Sequence, residues 1–334
     1  MPAPHILVLG PAWVGDMVLA QSLFKTLKAE QPDVIIDVAA PAWTLPLLER
    51  MPEVTNAIAL PFRHGQLALM ERIRFGKSLR NRGYTQAILL TNSLKSAILP
   101  FAAGIPRRTG FLGEFRYGLL NDIRPLDKTM LRRTVDRFVA LGLASGESLP
   151  AALPEPQLQA VLENASAALR KLGIPQPDTP VLALCPGAEY GPAKRWPEAY
   201  YAEVANTMLS RGWQVWLFGS EKDMPVTANI NRLIQNRCHD LSGRTSLGEA
   251  IDLMSLASAV VSNDSGLMHV AAALQLPLVA IYGSSDPSHT PPMSDKADIL
   301  YLGLECSPCF KRECPLGHLK CLNDLKPEQV LAAL

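Results

Sequence analysis

Short, almost wholly apolar runs alternate along this chain with longer stretches in which apolar and polar positions mix at helical spacing. In the first half, the runs predict strands over 5–9, 34–39, 57–60 and 86–90. The stretches between them predict helices over 17–29, 67–82 and 94–103, with a further helix near 130–144. Strands so uniformly apolar belong to a parallel sheet covered by helices on both faces. Residues 145–180 break the rhythm: SGESLPAALPEPQ and GIPQPDTP are Pro-rich and flank one helical stretch, 158–172. Such a segment reads as a linker. The alternation then restarts, with strands over 181–184, 214–218, 259–262 and 278–282 and helices over 199–210, 223–236, 247–257 and 266–274. The expected class is α/β, with two doubly wound domains, 1–150 and 181–334, joined through 151–180. In open sheets of this kind ligands bind beyond the carboxyl ends of the strands, so a cleft between the two domains is the expected site.

Polar, glycine-bearing turns follow several of these strands. SNDSGLMH, 262–269, opens a helix at Asp264-Ser265-Gly266. A helix start presents unpaired backbone N–H groups and the positive end of the helix dipole, which suits an anion. Gly266 allows close approach, and His269 lies one turn inside. Two readings stay open: a diphosphate cradle, or an N-cap at Asp264 with His269 packed in the core. CPGAEYGPAKRWP, 185–197, follows the first strand of the second domain and carries Lys194 and Arg195. A cation there would offset the charge of a departing phosphate; the alternative is a basic helix start facing water. GPAWVGDMVLAQSL, 10–23, follows the first strand of the chain. It lacks both the G-K-[ST] of a nucleotide P-loop and the G-x-G-x-x-G of a dinucleotide site. It sets Asp16 at a helix start, as a general base or as a cap.

Composition narrows the classes. Hydrophobic residues make up 48% and charged residues 19% of 334, the balance of a soluble globular chain with room for two domains. No apolar run is long enough for a transmembrane helix. MPAPHILVLGPAWVGD lacks the layout of a signal peptide, so the cytoplasm is expected. The net charge of +1 hides an asymmetry: residues 1–150 carry eighteen Lys/Arg against twelve Asp/Glu, and 151–334 carry fourteen against nineteen. The excess is densest between 60 and 140, as at Arg72, Arg74, Lys77, Arg80, Arg132 and Arg137. It is either a solvated face or a surface for an anionic partner. No nucleic-acid motif accompanies it, so nucleic acid is not an expected partner. Cys306, Cys309, Cys314 and Cys321 are spaced x2, x4 and x6, with His318 among them. In a reducing compartment such thiols hold metal or stay reduced rather than pair. A structural zinc and free thiols both stay open.

Taken in order, GPAWVGDMVLAQSL, DVAAPAW, MPEV, GIPRRTGF, RYGLLND, CPGAEYGPAKRWP, FGSEKD, LSGRTSL, SNDSGLMHVAAAL and YGSSDP resemble the ADP-heptose:lipopolysaccharide heptosyltransferases. Within them, the set is most similar to the branch that adds the second inner-core heptose. The likeness runs over almost the whole chain; the cysteine-rich tail is its least explained part. It implies a glycosyltransferase B fold, two facing Rossmann-like domains with the active site in the cleft between them. The carboxy-terminal domain would hold the nucleotide sugar and the amino-terminal domain would face an anionic lipopolysaccharide core acceptor. The implied reaction is inverting transfer of heptose from ADP-L-glycero-D-manno-heptose to the first heptose of the core. It would take place at the cytoplasmic face of the inner membrane, with peripheral attachment. Asp16 resembles the catalytic base and Lys194 the phosphate-contacting cation. Gly187, Glu189, Glu221, Asp264, Ser265, Gly266 and His269 fall to the donor side. Arg63, Lys95, Arg107, Arg108 and Arg116 fall to the acceptor side. The resemblance implies no cofactor or metal for the leaving group. The competing readings are heptosyltransferase I or III, a transferase of another nucleotide sugar, a nucleotide-sugar epimerase, and a non-catalytic anion-binding protein.

Overall fold

The computed structural model describes residues 3–62 and 65–334. These divide into two compact units, 1–157 and 158–334. In the first, the elements run β1 (His5–Leu9), α1 (Val14–Glu30), β2 (Ile35–Pro41), α2 (Leu45–Leu48), β3 (Asn56–Leu60), α3 (Leu69–Ser78), β4 (Gln86–Leu89), α4 (Leu94–Ala102), β5 (Arg107–Phe111), β6 (Asp122–Arg124) and α5 (Thr134–Gly142). The strands form one parallel sheet in the order β3-β2-β1-β4-β5-β6. Leu7, Val8, Ile36, Val38, Ile88 and Leu89 are sealed from solvent at its centre, as expected of strands apolar on both faces.

The second unit runs α6 (Leu162–Leu172), β7 (Val181–Cys185), α7 (Glu198–Ser210), β8 (Gln214–Leu217), α8 (Met224–Leu233), β9 (His239–Asp240), α9 (Leu247–Met254), β10 (Ala259–Asn263), α10 (Gly266–Ala273), β11 (Leu278–Tyr282), β12 (Ala297–Tyr301), α11 (Lys320–Asn323) and α12 (Pro327–Ala333). Its sheet order is β12-β11-β10-β7-β8-β9, the same winding as the first. In each unit the chain therefore reverses its direction of travel across the sheet once, between β1 and β4 and between β7 and β10. Loops leaving the two strands at such a point diverge to opposite faces and leave a crevice. The loops carrying Lys194 and Asp264 leave β7 and β10. The loop leading to Asp16 leaves β1.

The expected domain boundaries are redrawn in one place. The Pro-rich segment is shared between the units. Gln21, buried in α1, exchanges two hydrogen bonds with the backbone of Gln157, both at 2.8 Å, which fixes the segment's start on the first unit. Helix α6 packs on α9 in the second unit, where Lys171 pairs with Glu249 at 2.9 Å. Four strands escaped the hydrophobic pattern: β5, β6, β9 and β12. All lie at or next to a sheet edge, where one flank needs no apolar cover, so RRTGF and DIR do not read as buried runs.

Candidate active site

The switch point of the second unit is tied together by Asn263, the last residue of β10. Its side chain is fully buried. The amide oxygen accepts from the Trp196 backbone N–H and from the Tyr201 hydroxyl, each at 3.0 Å. The amide nitrogen donates to the Pro186 carbonyl at 2.6 Å. One side chain thus pins both ends of the 186–196 loop to the end of β10. Burial holds the Tyr201 hydroxyl far above its ordinary ionisation range, so it stays a donor. Trp196 is itself anchored, its indole N–H donating to the Leu325 carbonyl at 2.8 Å.

That loop brings Lys194 to the next residue of the other loop. The Lys194 ammonium lies 2.5 Å from Asp264 Oδ2 and 5.2 Å from the centre of the Tyr190 ring. The same carboxylate oxygen accepts from the Ser285 hydroxyl, beyond β11. Asp264 is thus occupied by a cation and a hydroxyl, and the N-cap of α10 is Ser265, which makes no side-chain capping bond. Instead the Ser265 hydroxyl shares a hydrogen bond with Ser262 at 3.2 Å. The capping alternative for Asp264 therefore fails. The start of α10, with Gly266 as its first residue, keeps backbone N–H groups and the dipole's positive end unclaimed by a side chain. His269, one turn in, is 5% exposed. Burial, only partly opposed by Asp264, pushes its pKa down to about 4, so it is neutral at pH 7. Its Nδ1 has no hydrogen-bond partner among the described residues.

The remaining donor-side residues divide. A Cβ on Gly187 would sit 2.4–2.6 Å from the Asp223 carboxylate, so no side chain fits there. Asp223 in turn accepts from the Ser220 backbone and hydroxyl at 2.9 and 2.7 Å, shaping the turn that exposes Glu221. Glu189 is exposed and pairs with Lys222.

In the first unit Asp16 is the third residue of α1, whose N-cap is Trp13. Asp16 is therefore not the cap; it stands in the first turn, half-buried, where a carboxylate complements the helix dipole. Before it, the turn is tight: a Cβ on Gly10 would lie 2.6 Å from Met17 Cε. Among the basic residues, the structure corrects the expectation for Arg116. It is fully buried, donating to the Thr91 carbonyl at 2.7 Å and to the Ser96 hydroxyl at 3.2 Å, to Asn92 at 3.3 Å and to the Phe111 carbonyl. Burial lowers its pKa to about 10. It fastens the loop after β4 and offers no guanidinium face to an acceptor. Arg108 is largely spent as well, on the Leu119 and Ile105 carbonyls, both at 2.6 Å. Arg107 is half-exposed and paired with Asp122 at 2.9 Å. Burial alone would raise the Asp122 carboxyl, but hydrogen bonds from Arg124, Thr109 and Arg107 together hold it down at about 2. Lys95 is half-buried in the first turn of α4. Arg63 lies outside the described residues.

The family model described as "Glycosyltransferase family 9 (heptosyltransferase)" matches residues 72–320. The chain belongs to this family. It is 48% identical to lipopolysaccharide heptosyltransferase 2 of Escherichia coli K12 over 338 residues, 98% of this chain and 97% of that protein. It is 45% identical to lipooligosaccharide heptosyltransferase 2 of Haemophilus influenzae, across 99% of this chain and 98% of the relative. The solved structure of Escherichia coli ADP-heptose lps heptosyltransferase II superimposes with a TM-score of 0.88 at 45% identity, covering 98% and 97% of the two chains. The two parallel six-stranded sheets, each flanked by helices, are Rossmann-like units of a glycosyltransferase B fold.

Sequence reasoning missed Asn263, Tyr201 and Ser285. Asn263 stands in the quoted SNDSG segment, and the signal was its type: an amide ending a run of buried apolar residues requires partners. The state of His269 generates a prediction. The folded chain refuses the proton down to about pH 4, whereas the ordinary histidine value is 6.5, so between these values the unfolded chain binds the extra proton. Stability from this group is complete above pH 6.5 and falls as the pH drops toward 4, by about 2 kcal/mol at pH 5. Urea unfolding of wild type and His269→Gln at pH 7 and pH 5 measures this, with the variant expected to lose about 2 kcal/mol less than wild type.

Proposed function

We propose that this glycosyltransferase moves heptose from ADP-heptose to a core acceptor that already carries one heptose. The observation that carries the donor half is the Lys194–Asp264 pair beside the start of α10, where no side chain caps the backbone N–H groups. A cation and a row of backbone donors at one switch point suit a nucleoside diphosphate. The heptose and the step come from the relatives named heptosyltransferase 2, which align with nearly the entire chain. That alignment favours the second transfer over the first or third, and a transferase over an epimerase or a passive anion binder.

In this reading Asp16 accepts the proton of the acceptor hydroxyl as its oxygen attacks the anomeric carbon. The bond from that carbon to the diphosphate breaks on the opposite face, inverting the centre, and ADP departs. Lys194 shifts from Asp264 to the diphosphate, and the N–H groups at Ser265 and Gly266 take the charge that develops there. Neutral His269 lines this end without adding charge, and Gly187, Glu189 and Glu221 border the nucleoside. The leaving-group chemistry takes no metal or cofactor. Lys95 and Arg107 are the acceptor contacts, with Arg116 and Arg108 holding the loops that present them, and Arg63 is assigned to the same side by the resemblance. Among the described residues no helix is long and apolar enough to cross a membrane. Exposed Trp13, Trp43, Met70, Phe115 and Met130 share the first unit with the basic excess, which supports peripheral attachment to an anionic membrane surface, the cytoplasmic face of the inner membrane, where the lipid acceptor resides.

Incubation with ADP-heptose and core acceptors bearing one heptose or none tests the reading. Transfer is expected to the heptose-bearing acceptor; transfer to the bare core instead, or ADP-heptose turnover that ignores the acceptor, overturns it. Two substitutions separate the roles. Asp16→Asn is expected to keep ADP binding and lose about 10²-fold or more in rate. Lys194→Ala is expected to lose roughly 10- to 100-fold in donor use, the worth of a charged hydrogen bond. A well-folded Asp16→Asn protein with near-native turnover would remove the base from the mechanism.

A further inference from the structure

The segment after β12 has no part in the transfer chemistry, yet it carries four of the six cysteines, Cys306, Cys309, Cys314 and Cys321. None is in a disulfide. All four line one small pocket, with His318 at its edge. The turn CPLGHL folds back on itself, the Gly317 N–H donating to the Cys314 carbonyl at 3.1 Å. The turn requires left-handed backbone at Gly317 and Leu319, with φ of 71° and 48°. Four sulfurs gathered around one pocket are a soft donor set suited to a thiophilic cation.

We propose that these four sulfurs hold one thiophilic metal ion, of the zinc(II) or iron(II) class, in a tetrahedral thiolate set. Each ligating thiol gives its proton to solvent as its bond to the metal forms. Among the described residues no three His, Cys, Asp or Glu side chains are placed as a metal-holding group, so binding requires the thiols to close on the pocket, to about 2.3 Å from the ion. The spacing permits it, since all four come from one stretch of sixteen residues.

The same stretch is bolted to the loop that carries Lys194 and to the loop leaving β11, whose Ser285 bonds Asp264. The Phe310 N–H donates to the Ser284 carbonyl at 2.7 Å and the Ala193 N–H to the Arg312 carbonyl at 3.0 Å. The Tyr190 hydroxyl donates to the Phe310 carbonyl at 2.8 Å, and Ser307 bonds the Gly283 carbonyl. At Gly191 even a Cβ would lie 2.6 Å from the Arg312 carbonyl oxygen. The metal therefore fixes the outer wall of the loop that carries Lys194. The metal site stands on the cysteines alone; the bracing role rests on the donor reading.

The test uses the full chain purified under reducing conditions without chelator. Elemental analysis is expected to find about one zinc or iron per chain, lost in Cys309→Ser and Cys314→Ser. Cobalt(II) added to the chelator-stripped wild type is expected to give the intense thiolate-to-metal absorption and visible bands of a tetrahedral sulfur site. This readout needs neither a variant that folds nor any transferase activity. Absence of stoichiometric metal together with absence of the cobalt–thiolate spectrum overturns the site. Stripping the metal is expected to weaken ADP binding about 10-fold while leaving the unfolding of the first unit unchanged. Unchanged ADP affinity in folded, metal-free protein overturns the bracing role. A metal-loaded protein that transfers no heptose overturns the transferase reading and leaves the metal site standing.

Discussion

The Asn263 amide makes three hydrogen bonds inside the core, and each goes to a part of the chain that the site needs in place. Pro186 and Trp196 are the two ends of one loop, and Tyr201 lies on the helix that follows it. Removing this amide leaves two donors and a carbonyl buried without partners, at a cost of about 1–3 kcal/mol for each. The loop between those ends would then be free to move, with Lys194 on it. The Lys194–Asp264 pair is therefore a consequence. It forms because β10 delivers Asp264 one residue after Asn263, and the pinned loop delivers Lys194 two residues before Trp196.

The two units solve the same problem in different ways. Both wind their sheets identically, and both place a polar turn after the first strand at the switch point. The first presents a carboxylate within the first turn of α1. The second presents a helix start with no side-chain capping bond, beside a paired lysine. The proposed division of acid–base work and anion binding between the units rests on these single turns. The neutral His269 fits this division: a charged imidazole at that depth would compete with Lys194 for the Asp264 carboxylate, and burial forbids it.

Much of this was legible in the chain. Continuous apolar runs marked the central strands because those strands are covered on both faces. Edge strands did not show, since RRTGF carries its charge toward solvent and DIR spends its own on one another, with Asp122 taking bonds from Arg107 and Arg124. Polar turns after strands located Asp16, Lys194 and Asp264. What the sequence could not reveal was which partner each polar group would find. SNDSG does not say that Ser265 is the cap of α10 or that the Asp264 carboxylate takes Lys194 and Ser285 as partners. The basic excess of the first half is surface in part, with Arg74, Lys77, Arg80 and Arg132 exposed, but not throughout. Arg72 lies against the Phe62 ring at 4.3 Å, and Arg116 is sealed inside. Guanidinium groups tie up loop carbonyls as readily as they meet anions, and only packing decides between the two.

The central claim is that the Asn263 amide builds the diphosphate site by holding the Lys194 loop. Calorimetric titration of ADP into Asn263→Ala, with the fold checked by circular dichroism, tests it most directly. The account expects a folded protein whose ADP affinity falls by about 10-fold or more, the scale of one lost charge-assisted contact, although Asn263 has no exposed atom with which to touch the nucleotide. A folded Asn263→Ala protein that binds ADP as tightly as the wild type would contradict it.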